Sequence, residues 1–158
     1  MLGELARHIG FDYPAFLSRR LMHIMSPEEV SEIAREGVDV QLHTHRHQKV
    51  SKIGPQGKLP SAIEENRARI AQLTGRNPVH FCYPSGDYTL EALPVLRQLS
   101  IASATTCVPG LADKKSEPLL LPRYVDTSFQ TEAEFEGWLS GASSFLSWRH
   151  GAPDGQRI

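Results

Sequence analysis

Three of the chain's seven histidines fall within five residues, in the run Leu42-His43-Thr44-His45-Arg46-His47. Imidazole is the commonest protein ligand for transition metals, and zinc asks no redox chemistry of its ligands. The run follows Val38-Asp39-Val40-Gln41-Leu42, an apolar–polar alternation of strand type. On a straight strand, His43, His45 and His47 share one face. If the chain turns after His43, then His43 and His47 meet instead, at i and i+4 spacing. Either geometry can hold a metal ion. Exposed or core-bonded histidines are the plainer alternative, but three at one predicted strand end favour the metal.

A second segment, Phe81-Cys82-Tyr83-Pro84-Ser85-Gly86-Asp87-Tyr88, runs from an apolar strand straight into Pro-Ser-Gly. Proline stops a ladder, and glycine permits an unusual turn. Such a turn can aim a backbone N–H at a developing oxyanion. Taken alone, the segment fits a plain strand-to-helix turn better.

The elements that must position these residues are partly written in capping signals. Ser26-Pro27-Glu28-Glu29 is a capping box with proline in the first turn; Val30, Ile33 and Ala34 share one face, and Gly37 is the stop. Ser61-Ala62-Ile63-Glu64 reads as a second box, with Ile63, Ile70 and Leu73 inward and an end at Gly75. Thr131-Glu132-Ala133-Glu134 reads as a third, with Phe135, Trp138 and Leu139 on the buried face. A further helix is expected over Leu90–Leu99, with Pro94 early in it. Strands are expected at Val38–Leu42, Val79–Tyr83, Ile101–Thr106 and Leu119–Val125. Val50–Pro60, with two Gly and two Pro, reads as a loop, and Met1–Met25 as helical or irregular. Strands alternating with helices imply an α/β fold with mostly parallel strands.

At 158 residues the chain is expected to form one domain over 1–148, with a flexible tail at 149–158. Seventeen basic against 18 acidic residues, with no basic run longer than a pair such as Arg19-Arg20, speak against a nucleic-acid partner. No apolar stretch approaches membrane-spanning length, so no membrane partner is expected. The first residues lack the basic leader and apolar segment of a signal peptide, and the expected compartment is cytoplasmic. Cys82 and Cys107 form no C-x-x-C pair; a disulfide between them is open, but the count does not argue for one, and buried free thiols are the plainer reading.

In this order the two motifs resemble the polysaccharide deacetylase (NodB-homology) family. Its H-[ST]-x-x-H motif is matched by His43-Thr44-His45-Arg46-His47, preceded by a helix with the spacing of Ile33–Val40. Its F-x-Y-P-x-G is matched by Phe81–Gly86, and a later L-P-R by Leu121-Pro122-Arg123. The resemblance runs from about Ser26 to Leu139. It implies a partial or distorted (β/α) barrel and metal-dependent removal of N-acetyl groups from a carbohydrate polymer or oligomer. It also implies Zn²⁺, or another divalent transition metal, on His43 and His47, with Thr44 buttressing the loop. The backbone N–H of Ser85 would contact the oxyanion. Tyr83, Pro84 and Gly86 would contact the sugar.

The departures are equally specific. The family's early T-F-D-D or S-F-D-D supplies a third metal ligand and the general base, and no such pair occurs here. Phe11-Asp12-Tyr13 is the nearest imitation, and Asp12 reads as a surface or cap residue. The family's arginine before P-x-G is Cys82 here; Arg123 would support the base instead, or form a structural salt bridge. The late L-x-H has no match, and His80 and His150 read as structural or solvated. These gaps point to a chain truncated at its N-terminus, with an exposed sheet edge that favours self-association. A crippled hydrolase or a non-catalytic carbohydrate-binding remnant is then expected. A different metallo-amidohydrolase using His43 and His45 is the remaining rival, but only Asp126 and His80 could complete its ligands.

Overall fold

A computed structural model describes residues 2–20 and 23–142. The expected tail at 149–158 and His150 lie outside the described residues. The chain divides into two compact units, Met1–Val38 and Asp39–Ile158.

The described residues of the first unit form α1 (Leu2–His8), α2 (Tyr13–Ser18) and α3 (Pro27–Arg35). Asp12 is the N-cap of α2 and accepts a hydrogen bond from the Ala15 N–H at 2.9 Å. It is therefore the cap residue its surroundings implied. Ser26 caps α3 through a full reciprocal box with Glu29, and Pro27 fills the first turn, where its missing N–H costs nothing. The helix ends in a Schellman motif: Val38 N–H donates to Ile33 O and Gly37 N–H to Ala34 O, with Gly37 at φ +102°.

The Glu29 carboxyl is lowered to about 2, first by the Ser26 N–H it accepts, then by His23 and Arg20. Because the folded value lies below the ordinary 4.5, Glu29 stabilises the fold above that pH. That contribution fades as pH falls from 4.5 towards 2. In acid titrations, wild type is expected to start more stable than Glu29→Gln and to converge with it across this window. Parallel curves would contradict the assignment.

The second unit contains α4 (Val50–Ile53), α5 (Leu59–Thr74), β1 (His80–Cys82), α6 (Ala92–Gln98), β2 (Ser103–Thr105) and α7 (Glu132–Leu139). β1 and β2 pair in parallel, with His80 beside Ser103, Phe81 beside Ala104 and Cys82 beside Thr105. Single parallel bridges extend this ladder on both sides, Leu42 to Phe81 and Thr105 to Leu121. The parallel α/β reading therefore holds, in four short rows.

Two expected strands shrink to those bridges. Val38–Leu42 contributes only Leu42, through its N–H to His80 O and its carbonyl to Cys82 N–H. Leu119–Val125 contributes only Leu121. Pro118 opens a 3₁₀ turn over Pro118–Leu120, and Pro122 has no N–H to continue the ladder.

The second capping box is also corrected. α5 begins at Leu59 with Pro60 in its first turn, and the Ser61 hydroxyl donates to Lys58 O instead of capping. Burying Leu59 (1% exposed) in the core rewards the earlier start. The expected Val50–Pro60 loop is partly helix, because Val50 and Ile53 are buried one turn apart. Gly75 ends α5 in the left-handed conformation, as expected. Thr131 caps α7 with Glu134, but Phe135 and Leu139 are exposed; only Trp138 of that face is partly covered.

The core gathers Leu42, Phe81 and Ala104 from neighbouring rows, Ile63 and Ile70 from α5, Leu96 from α6, and Leu119. No helix among the described residues is long and apolar enough to cross a membrane.

Candidate functional site

His43 follows directly on the Leu42 bridge, and the chain turns there. Thr44 (φ +59°) and His47 (φ +52°) are both left-handed. For threonine this is a costly conformation, since its branched Cβ crowds the backbone. The two reversals bring the His43 and His47 rings to a centroid separation of 4.8 Å. Of the two geometries open in the sequence, the turned one is adopted, though without a helix.

The surroundings hold this turn in place. The buried Thr44 hydroxyl accepts the Gln48 N–H at 3.0 Å. His43 N–H donates to Asn66 Oδ1 at 2.8 Å, and His45 N–H to Ala62 O at 3.0 Å. Ala62 and Asn66 are one turn apart on α5, so one helix face anchors the loop twice. His43 Nδ1 lies 2.7 Å from Cys82 O. A carbonyl only accepts, so Nδ1 carries a proton, and in the neutral ring Nε2 keeps its lone pair. That is how a ligating histidine is usually oriented. His45 turns away and lines a separate recess with Arg46, Lys58 and Glu65. Among the described residues, no three His, Cys, Asp or Glu side chains cluster so as to hold a metal ion.

The Pro84–Gly86 turn is also strained. Ser85 has φ +58°, and Gly86 φ +67°. Gly86 N–H donates to Tyr83 O and Asp87 N–H to Pro84 O. The Ser85 N–H takes no part in these two bonds. A Cβ on Gly86 would lie 2.6 Å from Cys107 Cβ, so the chain needs glycine there. The Asp87 carboxylate accepts from the Ser51 N–H (2.7 Å) and hydroxyl (2.8 Å), tying the turn to α4.

Other expected site residues sit differently. Tyr83 is fully buried, and its hydroxyl donates to Leu119 O at 2.9 Å. Burial also pushes that hydroxyl's pKa up, so it stays protonated. Pro84 is buried as well. Neither side chain therefore offers a groove surface, because both fill the core beneath the turn. Arg123 meets no carboxylate in the described hydrogen bonds. Its guanidinium donates to the Cys82 sulfur at 3.1 Å and, at 3.6 Å, to that of Cys107, both free thiols. His80 Nδ1 is engaged with Ser103 Oγ at 2.8 Å. Asn66, Ser51 and Asp87 escaped the sequence reading, because side-chain bonds spanning 23 and 36 residues leave no local pattern.

A family described as polysaccharide deacetylase matches residues 8–104, more than half of the chain. No curated protein sequence matches. Among solved structures, the deacetylase PplD from Streptococcus pyogenes, in complex with acetate, is similar at TM-score 0.65 and 18% identity. The match covers 75% of this chain and 52% of that one. A polysaccharide deacetylase from Bacillus cereus is similar at TM-score 0.64 and 21% identity, over 75% of this chain and 38% of that one. A de-N-acetylase from Aggregatibacter actinomycetemcomitans is similar at TM-score 0.62 and 14% identity, over 73% and 53%. The chain thus spans about half, or less, of the length of these structures. At such identities the likeness concerns the fold.

Proposed function

The chain belongs to the polysaccharide deacetylase family, and from that premise we propose that it binds an N-acetylated carbohydrate, with His43 and His47 as two ligands of a catalytic zinc ion. The four parallel rows are then an arc of a (β/α) barrel. The observation that carries the reading is the His43–His47 pair, rings 4.8 Å apart, with His43 Nδ1 committed to Cys82 O. Two imidazoles fit two positions of a tetrahedral site; the described residues add no carboxylate to them. When bound, zinc would polarise the acetyl carbonyl and acidify a water.

The chain's own residues would do the rest. Cys82 O fixes the His43 tautomer, Asn66 and Thr44 hold the loop, and the Ser85 N–H donates to the oxyanion of the tetrahedral adduct. Asp87 keeps that turn in place through Ser51. That no carboxylate among the described residues joins the pair favours a second reading, binding without turnover. A missing general base alone commonly costs about 10²–10⁴-fold in rate.

The test is zinc titration by calorimetry, paired with acetate release from chito-oligosaccharides, on the 158-residue chain. Zinc binding that His43→Ala removes, with acetate release slow or absent, is the expected result. No zinc binding by wild type would overturn the metal assignment. Rapid zinc-dependent release would overturn the view that the base is missing.

A further inference from the structure

A cleft of about 360 Å³ opens in the second unit between the Cys107–Pro109 segment and the start of α7. Its volume suits a single sugar ring. Two aromatic side chains form its firm wall: Tyr124 and Trp138 lie with ring centroids 4.5 Å apart. Phe129, 93% exposed, stands at its rim. An aromatic this exposed contributes nothing to the core, although burying it would be favourable. Polar groups are interleaved with these rings. Gln130 and Thr127 line the cleft and offer both donors and acceptors. Among the described residues, the buried Tyr124 hydroxyl has no hydrogen-bond partner, an uncommon state.

This mixture is selective. A pyranose ring has an apolar C–H face and a rim of hydroxyls, so it is served by flat aromatics flanked by hydrogen-bonding groups. A purely aliphatic ligand would leave Gln130 and Thr127 unpaired. A nucleic acid would need cations, and no Lys or Arg lines the cleft. Its place also matters. Cys107, which lines the cleft, is the residue against which Gly86 packs. The cleft thus adjoins the Ser85–Gly86 turn on the same segment of chain.

We propose that the Tyr124–Trp138–Phe129 cleft is a saccharide subsite, which binds a sugar ring next to the one whose acetyl group meets the Ser85 turn. This rests on the deacetylase reading for the identity of the polymer. Its geometry is independent of the histidines.

The experiment uses the full chain carrying Trp148→Phe, which leaves Trp138 as the sole tryptophan. Chitotetraose is titrated while Trp138 emission is followed. The expected result is a saturable shift in emission, with affinity weakened at least about tenfold by Phe129→Ala. Gln130→Ala is expected to weaken it in the same direction. Phe129 is almost wholly exposed, so its replacement leaves the fold intact. Trp138→Ala, read by calorimetry, is expected to abolish binding at the same concentrations. No emission change with saccharide, or unchanged affinity in Phe129→Ala, would overturn the proposal. Zinc calorimetry on the same samples separates the two readings. A cleft failure leaves zinc binding intact, whereas a failed metal site leaves the emission shift intact.

Discussion

Gly86→Ala is expected to lower the unfolding midpoint by roughly 10 °C, at about 2–4 °C per kcal/mol for a chain of this size. Two costs add. At φ +67°, alanine meets the left-handed penalty, about 1–2 kcal/mol for an L residue. Its Cβ would also sit 2.6 Å from Cys107 Cβ and 2.9 Å from both the Cys107 amide nitrogen and sulfur. Overpacking of this kind typically costs about 1–3 kcal/mol. One of the clashing atoms is backbone, held by the β2 end of the ladder, so it cannot swing aside as a flexible side chain would. Gly57→Ala separates the two costs. Gly57 has nearly the same φ, +65°, with nothing within 4 Å of an added Cβ. It should show the conformational penalty alone. If the two variants melt within a degree or two of each other, close packing of the turn on Cys107 is not what fixes glycine at 86. If Gly86→Ala is the worse, the same variant should also displace the Ser85 amide, visible in its NMR shift.

Local chemistry was legible in the sequence; chemistry that depends on distant partners was not. The boxes at Ser26 and Thr131 need only four consecutive residues, and both form. Ser61 offered the same four-residue pattern and failed. The decision was taken upstream, where burial of Leu59 and the tolerance of Pro60 in a first turn start α5 earlier. Strand lengths were overread for a related reason. A β-run extends only as far as a neighbour accepts its hydrogen bonds, and Pro122 closes that possibility after Leu121. The apolar face of α7 was legible as a pattern. What it packs against was not: Phe135 and Leu139 remain exposed among the described residues.

The site shows the same division. Spacing alone singled out His43, His45 and His47 as candidates. Which two of the three histidines meet was decided by left-handed backbone at Thr44 and His47, and neither residue type announces it. The family resemblance pointed to His43 and His47 where the residues themselves left two geometries open, and these are the two rings that lie 4.8 Å apart. It also pointed to Tyr83 and Pro84 as sugar contacts, and burial overrides that for both side chains.

His47→Ala is expected to weaken zinc binding by far more than His45→Ala, although the two residues are identical in type and two positions apart. The His47 ring lies 4.8 Å from that of His43, close enough for both to reach one ion. His45 instead lines a separate recess with Arg46, Lys58 and Glu65, away from the His43–His47 pair. Loss of a mere supporting partner of a ligand commonly costs about 10–100-fold in metal affinity, and loss of a ligand itself should exceed that. His45→Ala should titrate like wild type, because its anchoring bond to Ala62 O uses the backbone N–H, which alanine retains. His47 adopts φ +52°, so alanine there also carries a conformational cost. His47→Asn is the companion variant, since asparagine tolerates this region, and it separates a lost ligand from a disturbed loop. Calorimetric zinc titration of all three variants decides the matter. Equal losses in His45→Ala and His47→Ala would mean that the loop rearranges to use a different pair. Retention of full affinity in both His47 variants would remove His47 from the site altogether.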